Sequence, residues 1–241
     1  MVGWRAKLGF VMPAGTPTVE PEMYGMAPAG VSVHFARMKS LGATGTLEGL
    51  EARIDMQIAH MDETVELLSM IRPDVIALAH TATSYRLGVE GEKAMAARLL
   101  AKTKVPFISA FGSVVTALRH LEVKCVALAT PYDERLTLLA KANLEAHGFQ
   151  VVAYDWLRGV RSIFEEPPIR AYGIAKRVDR PEAQAVFISG VGLHTVSVLG
   201  ALDSDLGKPV ISSAGAMMWN ALRTAGVSPR LPGYGRLFET G

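Results

Sequence analysis

Seven short stretches of this chain are apolar at nearly every position: LGFVMP (8–13), DVIALAH (74–80), VPFISA (105–110), KCVALAT (124–130), QVVAYD (150–155), AVFISG (185–190) and PVISSA (209–214). Apolar runs of this length suit strands covered on both faces, the arrangement of parallel sheets. Between them, apolar residues recur at helical spacing over 46–71, 88–103, 112–121, 132–147, 170–178, 192–206 and 215–225. Strand and helix in alternation predict an α/β fold. Thr46, with Glu48 and Glu51 behind it, marks the start of the first long helix, and Pro73 lies beyond its end. The segment EAHG closes another, with His147 in the last turn and Gly148 as its cap. VEPEMYGMAPAG (19–30) reads as a loop able to form a flap, and 165–169 as a loop before the next helix.

The pattern also repeats. LGFVMPAG and KCVALATPYD are each an apolar strand ending in proline with small or polar residues. Each is followed by a second strand with a small-residue end, DVIALAHTATS in one case and AVFISGVGLHT in the other. Pro13 and His80 are 67 residues apart, and Pro131 and Gly190 are 59 apart. The expectation is two pseudo-symmetric α/β halves, each a parallel sheet flanked by helices, made of 1–111 with 215–241 and of 112–214. Ligands in open α/β sheets bind beyond the carboxyl ends of strands. The four strand ends therefore nominate a cleft between the halves as the site.

Composition narrows the classes. Of 241 residues 49% are apolar and 20% charged, with a net charge of +2, as in a globular protein with no electrostatic footprint for nucleic acid. The apolar runs are strand-sized, which predicts no membrane span, and the N-terminal segment is too short in apolar residues for a signal peptide. A cytoplasmic location is the expectation. The single cysteine, Cys125, excludes an intrachain disulfide and reads as a small core residue. No metal signature is present, and GVGLHT, though able to bind an anion at a helix start, is too short for a dinucleotide fingerprint. No cofactor is expected.

At the strand ends the chain resembles the arylmalonate decarboxylase and maleate isomerase branch of the aspartate/glutamate racemase superfamily. The resemblance rests on HTATSYRLG (80–88), VALATPYDERL (126–136), ISGVGLHT (188–195), GKPVISSAGAMMWNALRTAG (207–226) and LPGYGRLFE (231–239), and covers essentially the whole chain. It implies two α/β halves with a small-molecule site between them and weakly implies a homo-oligomer. The two positions at which such proteins place cysteines fall on His80 and Gly190. An asparagine of maleate isomerases corresponds to Thr16. Without a thiolate, covalent addition to a maleate-like double bond lacks its nucleophile, and two-thiol racemisation lacks both acid/base groups. Maleate isomerase and racemase activities are therefore expected to be absent.

What the resemblance leaves is an anion cradle, a dioxyanion hole that by position comprises Thr81, Ala82, Tyr132, Val191 and Gly192. His80, Thr81 and Tyr132 are the candidate catalytic residues; Pro13, Thr16, Arg37, Ala82, Thr83, Gly190, Val191 and Gly192 are the candidate substrate-binding residues. Histidine suits proton transfer near neutral pH, and Arg37 suits a substrate carboxylate. The expected ligand is a small carboxylate or dicarboxylate, handled by a cofactor-independent lyase through an enolate-like intermediate. An isomerase or hydratase of a small dicarboxylate using His80, or a carboxylate-binding relative without catalysis, are the alternatives. His194 reads as a helix-packing residue, His60, His120 and His147 as solvated, and Tyr234 and Arg236 as anchors of the C-terminal tail.

Overall fold

The computed structural model describes residues 2–240. In chain order, β1 (Ala6–Pro13), α1 (Val19–Met26), β2 (Val31–Met38), α2 (Leu50–Ala59), α3 (Met61–Ser69), β3 (Val75–Leu78), α4 (Thr81–Thr103) and β4 (Phe107–Ser109) come first. They are followed by α5 (Ala110–His120), β5 (Cys125–Thr130), α6 (Glu134–Ala146), β6 (Gln150–Trp156), α7 (Pro168–Val178), β7 (Ala185–Ile188), α8 (Leu199–Leu206), β8 (Val210–Ser212) and α9 (Ser213–Thr224). The strands form two four-stranded parallel sheets of the same order, β2-β1-β3-β4 and β6-β5-β7-β8. The expected α/β architecture of two matched halves is what the chain adopts.

The repeat read from the sequence is the sheet register itself. Leu8 lies beside Val75 in the β1–β3 pair, an offset equal to the spacing of Pro13 and His80. Val126 lies beside Ala185 in the β5–β7 pair, an offset equal to the spacing of Pro131 and Gly190. One bond beyond each strand continues the pattern, Ala79 N to Val11 O at 2.7 Å and Ser189 N to Ala129 O at 2.8 Å. Leu8, Phe10 and Met12 of β1 face the main core, whereas Val11 joins Ile76 and Leu78 in a smaller cluster on the other side. Burial on both faces is why these strands are continuously apolar.

The halves are not simply sequential. Helix α9 follows the last strand of the second sheet, yet it packs on α5 and reaches β1 and β3 of the first. Trp219 of α9, with Phe10, Phe111, Phe187 and Phe238, is among the largest fully buried side chains. Helix α1 adds another tie. Glu22 Oε1 accepts from the N–H groups of Thr195 and Val196 at 2.9 and 3.0 Å, and Thr18 Oγ1 donates to Gly192 O at 3.0 Å.

Several expectations need correction. Segment 19–30 contains helix α1, with Val19, Met23 and Met26 buried; Pro21 sits in its first turn, where a missing N–H costs nothing. Residues 31–38 form β2, an edge strand that its half-exposed polar residues concealed. The helix expected at 46–71 is two helices broken at His60, and Gly49 in the left-handed region, not Thr46, begins the first. Helix α4 begins at Thr81 rather than 88, with a break at Gly88, and α8 begins at Leu199 rather than 192. Cys125 opens β5 only partly buried, its thiol against Gln150. His147 is half-buried and its Nε2 has no partner, so it is not a freely solvated residue.

Truncating a fully buried aromatic at this sheet core leaves a cavity as well as lost contacts. Phe187→Ala should cost about 3–5 kcal/mol, read as a lower urea midpoint with unchanged slope; a loss below about 1 kcal/mol would contradict the packing described.

Candidate active site

In each sheet the chain leaves its first strand toward one edge and later returns on the other side of that strand, so the switch lies between β1 and β3, and between β5 and β7. Crevices open at such points beyond the carboxyl ends. The two crevices meet in a small cavity of about 60 Å³. Pro13 and Thr16 enter it from β1, Ala79 and His80 from β3, Tyr132 from β5, and Gly190, Val191 and Gly192 from β7. Among the sequence candidates these seven border it directly: Pro13, Thr16, His80, Tyr132, Gly190, Val191 and Gly192.

His80 occupies the N-cap of α4, and its Nδ1 shares a hydrogen bond with Thr83 Oγ1 at 2.8 Å. No other hydrogen bond to the imidazole is made among the described residues. Burial pushes its pKa down to about 4, and the positive charge of Arg53 adds to the effect. The ring is therefore neutral at neutral pH. Thr81, Ala82 and Thr83 are fully buried in the first turn behind it. No side chain caps that turn, so its N–H groups are left to whatever lies at the helix start. Thr81 Oγ1 is buried without a hydrogen-bond partner.

On the facing sheet, Gly190 N donates to Ser213 Oγ at 3.2 Å, while the N–H groups of Val191 and Gly192 meet no protein acceptor among the described residues. Gly190 has φ +95°, and a Cβ there would lie 2.8 Å from Pro131 Cγ. A side chain at this position is strained and has no room. Burial holds the Tyr132 phenol above its usual range, so it is a hydrogen-bond donor rather than a phenolate. Tyr85 OH and Ser189 Oγ, 2.8 Å apart, fasten α4 to the end of β7.

The remaining wall comes from residues that sequence reading missed. The 39–49 segment, not 19–30, lies over the cavity, with Ser40, Thr44, Gly45 and Thr46 on its border. It is seated so closely that a Cβ on Gly15 would meet Thr44 Oγ1 at 2.1 Å, and Gly45 O accepts from Ile163 N of the second half at 2.9 Å. Arg53 and Gln57, one turn apart on α2, also border the cavity and are 8% and 3% exposed. The Arg53 guanidinium donates to the carbonyls of Glu48 and Thr46 and makes no ion pair with a carboxylate among the described residues. Gln57 Oε1 and Ser40 Oγ are buried without partners. Arg37, the expected carboxylate ligand, is instead held by Ala14 O at 2.9 Å and by the Glu20 carboxylate at 2.5 Å, away from the cavity. His194 lies in the turn before α8 and shares a bond with Phe164 O at 3.2 Å. Tyr234 donates to Gly25 O at 3.1 Å and Arg236 pairs with Asp203 at 2.9 Å, anchoring the tail.

A family model described as arylmalonate decarboxylase matches residues 8–238. The chain belongs to the arylmalonate decarboxylase family. It is 29% identical to the arylmalonate decarboxylase of Bordetella bronchiseptica over 245 residues, covering 94% of this chain and 98% of that one. It is also 29% identical to the maleate isomerase of Nocardia farcinica, over 97% and 95% of the two chains. A crystal structure of a maleate isomerase from Pseudomonas putida S16 with maleate superposes with a TM-score of 0.89 at 24% identity, over 98% of both chains.

Within this family fold Cys125 is far from the cavity. It starts β5, whereas the cavity opens beyond Thr130, a separation of roughly 17 Å along the strand. No helix among the described residues is long and apolar enough to cross a membrane, and no three His, Cys, Asp or Glu side chains among them are grouped to hold a metal ion.

Two measurements check this geometry. The His80 imidazole should titrate by NMR with a midpoint near 4 and show no change between pH 6 and 8; a midpoint near 6.5 would mean it is solvated. Gly190→Cys should lower stability by about 1–3 kcal/mol through left-handed strain and the contact with Pro131, measured by urea denaturation.

Proposed function

We propose that this family member is a cofactor-independent enzyme of small carboxylic acids, a decarboxylase of malonate-type substrates that works without a catalytic cysteine. The observation that supports it most is the convergence on one cavity of a neutral, single-partnered imidazole and two unpartnered backbone N–H groups, at Val191 and Gly192. Relatives named for decarboxylation of arylmalonates and for isomerisation of maleate make a small carboxylate the natural ligand class.

In this reading one carboxylate of the substrate is held by the N–H groups of Val191, Gly192 and the first turn of α4, with the hydroxyls of Thr81 and Tyr132. The second carboxylate leaves as CO2. Its C–C bonding pair passes to the α carbon and the retained carboxylate, giving an enediolate. The cradle stabilises that added charge, and donors of this kind act most where charge develops in a water-poor site. His80, as imidazolium, gives a proton to the α carbon and regains one from water. An isomerase or hydratase would use the same ring as a base toward a carbon-bound proton or a water.

The two readings differ in sign with pH. Free His80 holds its proton only below about pH 4. A proton donor therefore makes kcat/KM fall as pH rises above about 4. In the liganded site substrate charge offsets that of Arg53, so kcat holds to higher pH. A base gives the reverse, a flat neutral region and a fall below about 4. Incubation with substituted malonates, maleate and hydroxy-diacids should show turnover of a malonate, lowered about 10²–10⁴-fold in His80→Ala and on the order of 10²-fold in Thr81→Val. Turnover of none of them, or full activity in His80→Ala, would remove the assignment.

A further inference from the structure

An ionised guanidinium with no counter-ion is expensive to bury, and its cost falls only when an anion joins it. Arg53 is in that situation beside the cavity: it is nearly fully buried, and its partners are two main-chain carbonyls, which relieve hydrogen bonding but not charge. Next to it the cavity border carries Gln57 Oε1 and Ser40 Oγ, both buried without partners. Buried polar atoms are ordinarily satisfied. Two of these point to an anionic oxygen group, the full positive charge of Arg53 and the Ser40 hydroxyl as a donor; Gln57 Oε1 is an acceptor, and the Gln57 amide serves such a group only through its Nε2 with the amide turned over. The wall belongs to α2 and the 39–49 segment, and is distinct from the N–H cradle at the strand ends.

We propose that Arg53, with Ser40, forms a second carboxylate subsite, so that the ligand of this protein is a small aliphatic acid carrying a carboxylate on its side chain. The inference rests on the reading of the cavity as a carboxylate site and adds the substrate class. Arginine on the departing carboxylate would stabilise the ground state more than the transition state, because that charge is lost as CO2 leaves. The group on Arg53 is therefore one that the product keeps. A malonate whose side chain ends in a carboxylate meets the condition, and its product is a dicarboxylate. Cyclic apolar substituents meet it poorly, since they leave the guanidinium unpaired.

The pairing also prepares the chemistry. Arg53 is close enough for its charge to oppose protonation of His80. A carboxylate on Arg53 cancels that field, and so favours the imidazolium only when a ligand is in place. Arg53 is thus a binding and positioning residue for the proton donor.

Calorimetry with unreactive acids tests this without relying on turnover. Succinate and glutarate are compared with butyrate and valerate on the wild-type chain, Arg53→Gln, Arg53→Lys and His80→Ala. The wild type should bind each diacid at least about 30-fold tighter than its length-matched monoacid, the ratio expected for one buried ion pair. Arg53→Gln should lose that preference, Arg53→Lys should keep part of it, and His80→Ala should keep it. Arg53→Gln should gain less in melting temperature from added succinate than the wild type does. If Arg53→Gln does not fold, Arg53→Lys and the wild-type ratio carry the comparison. Equal affinities for mono- and diacids, binding of neither with Kd below about 10 mM, or a preference intact in Arg53→Gln would overturn the subsite. A diacid preference in a protein that turns over no malonate would sustain the subsite and remove the decarboxylase reading.

Discussion

Parallel strands all end on the same side, and the connection that reverses direction across a sheet leaves a gap beyond those ends that no helix fills. This protein has that constraint twice, with the two gaps facing each other. The strand-end part of the candidate site follows from it. Pro13, His80, Tyr132 and Gly190 meet because β1, β3, β5 and β7 stop where they do, in registers fixed by Leu8 beside Val75 and Val126 beside Ala185. The first-turn N–H groups of α4 that have no intrahelical partner stand directly behind His80, because α4 starts at Thr81, three residues past the end of β3, with no side-chain cap.

The electrostatics of the cavity are equally a product of placement. His80 and Arg53 are both cationic when protonated; burial first, and then the charge of Arg53, leave the imidazole neutral at neutral pH while the guanidinium keeps its proton. The empty site thus carries a fixed positive charge and a neutral imidazole, an arrangement receptive to anions. Membership of the arylmalonate decarboxylase family fits this receptivity, and the chain's single cysteine, Cys125, lies away from the cavity.

Much of the architecture was legible in the chain because doubly covered strands cannot hide: their apolar runs, and strand-end spacings that match the register offset within each sheet, are forced by burial and register. The site was legible where it sits on those ends. Strand β2 was not, since an edge strand is less completely covered and leaves polar residues such as Ser32, His34 and Arg37 partly exposed on both of its faces. Arg53 and Gln57 were missed for a related reason. In LEARIDMQIA they look like the solvent face of an amphipathic helix, although they fall one turn apart, with Ile54, on the buried side. Polar residues four apart on a face that also carries a core isoleucine were the available signal. Arg37 misled because a basic side chain after a strand says nothing of a nearer acid, here Glu20.

The placement of α9 reaches beyond the site. This helix is made after every strand, yet its buried Trp219 and neighbours complete the core against α5, β1 and β3. During synthesis the first sheet is finished long before the helix that covers it has been made. Its apolar face must wait through the making of the entire second sheet, exposed or held by a chaperone, since contacts this distant in sequence are closed late and slowly. The two halves look like a duplicated unit, but their shared helices make them one kinetic object. A ribosome that stops before residue 213 leaves a nascent chain whose first sheet lacks its covering helix even though every strand has been made.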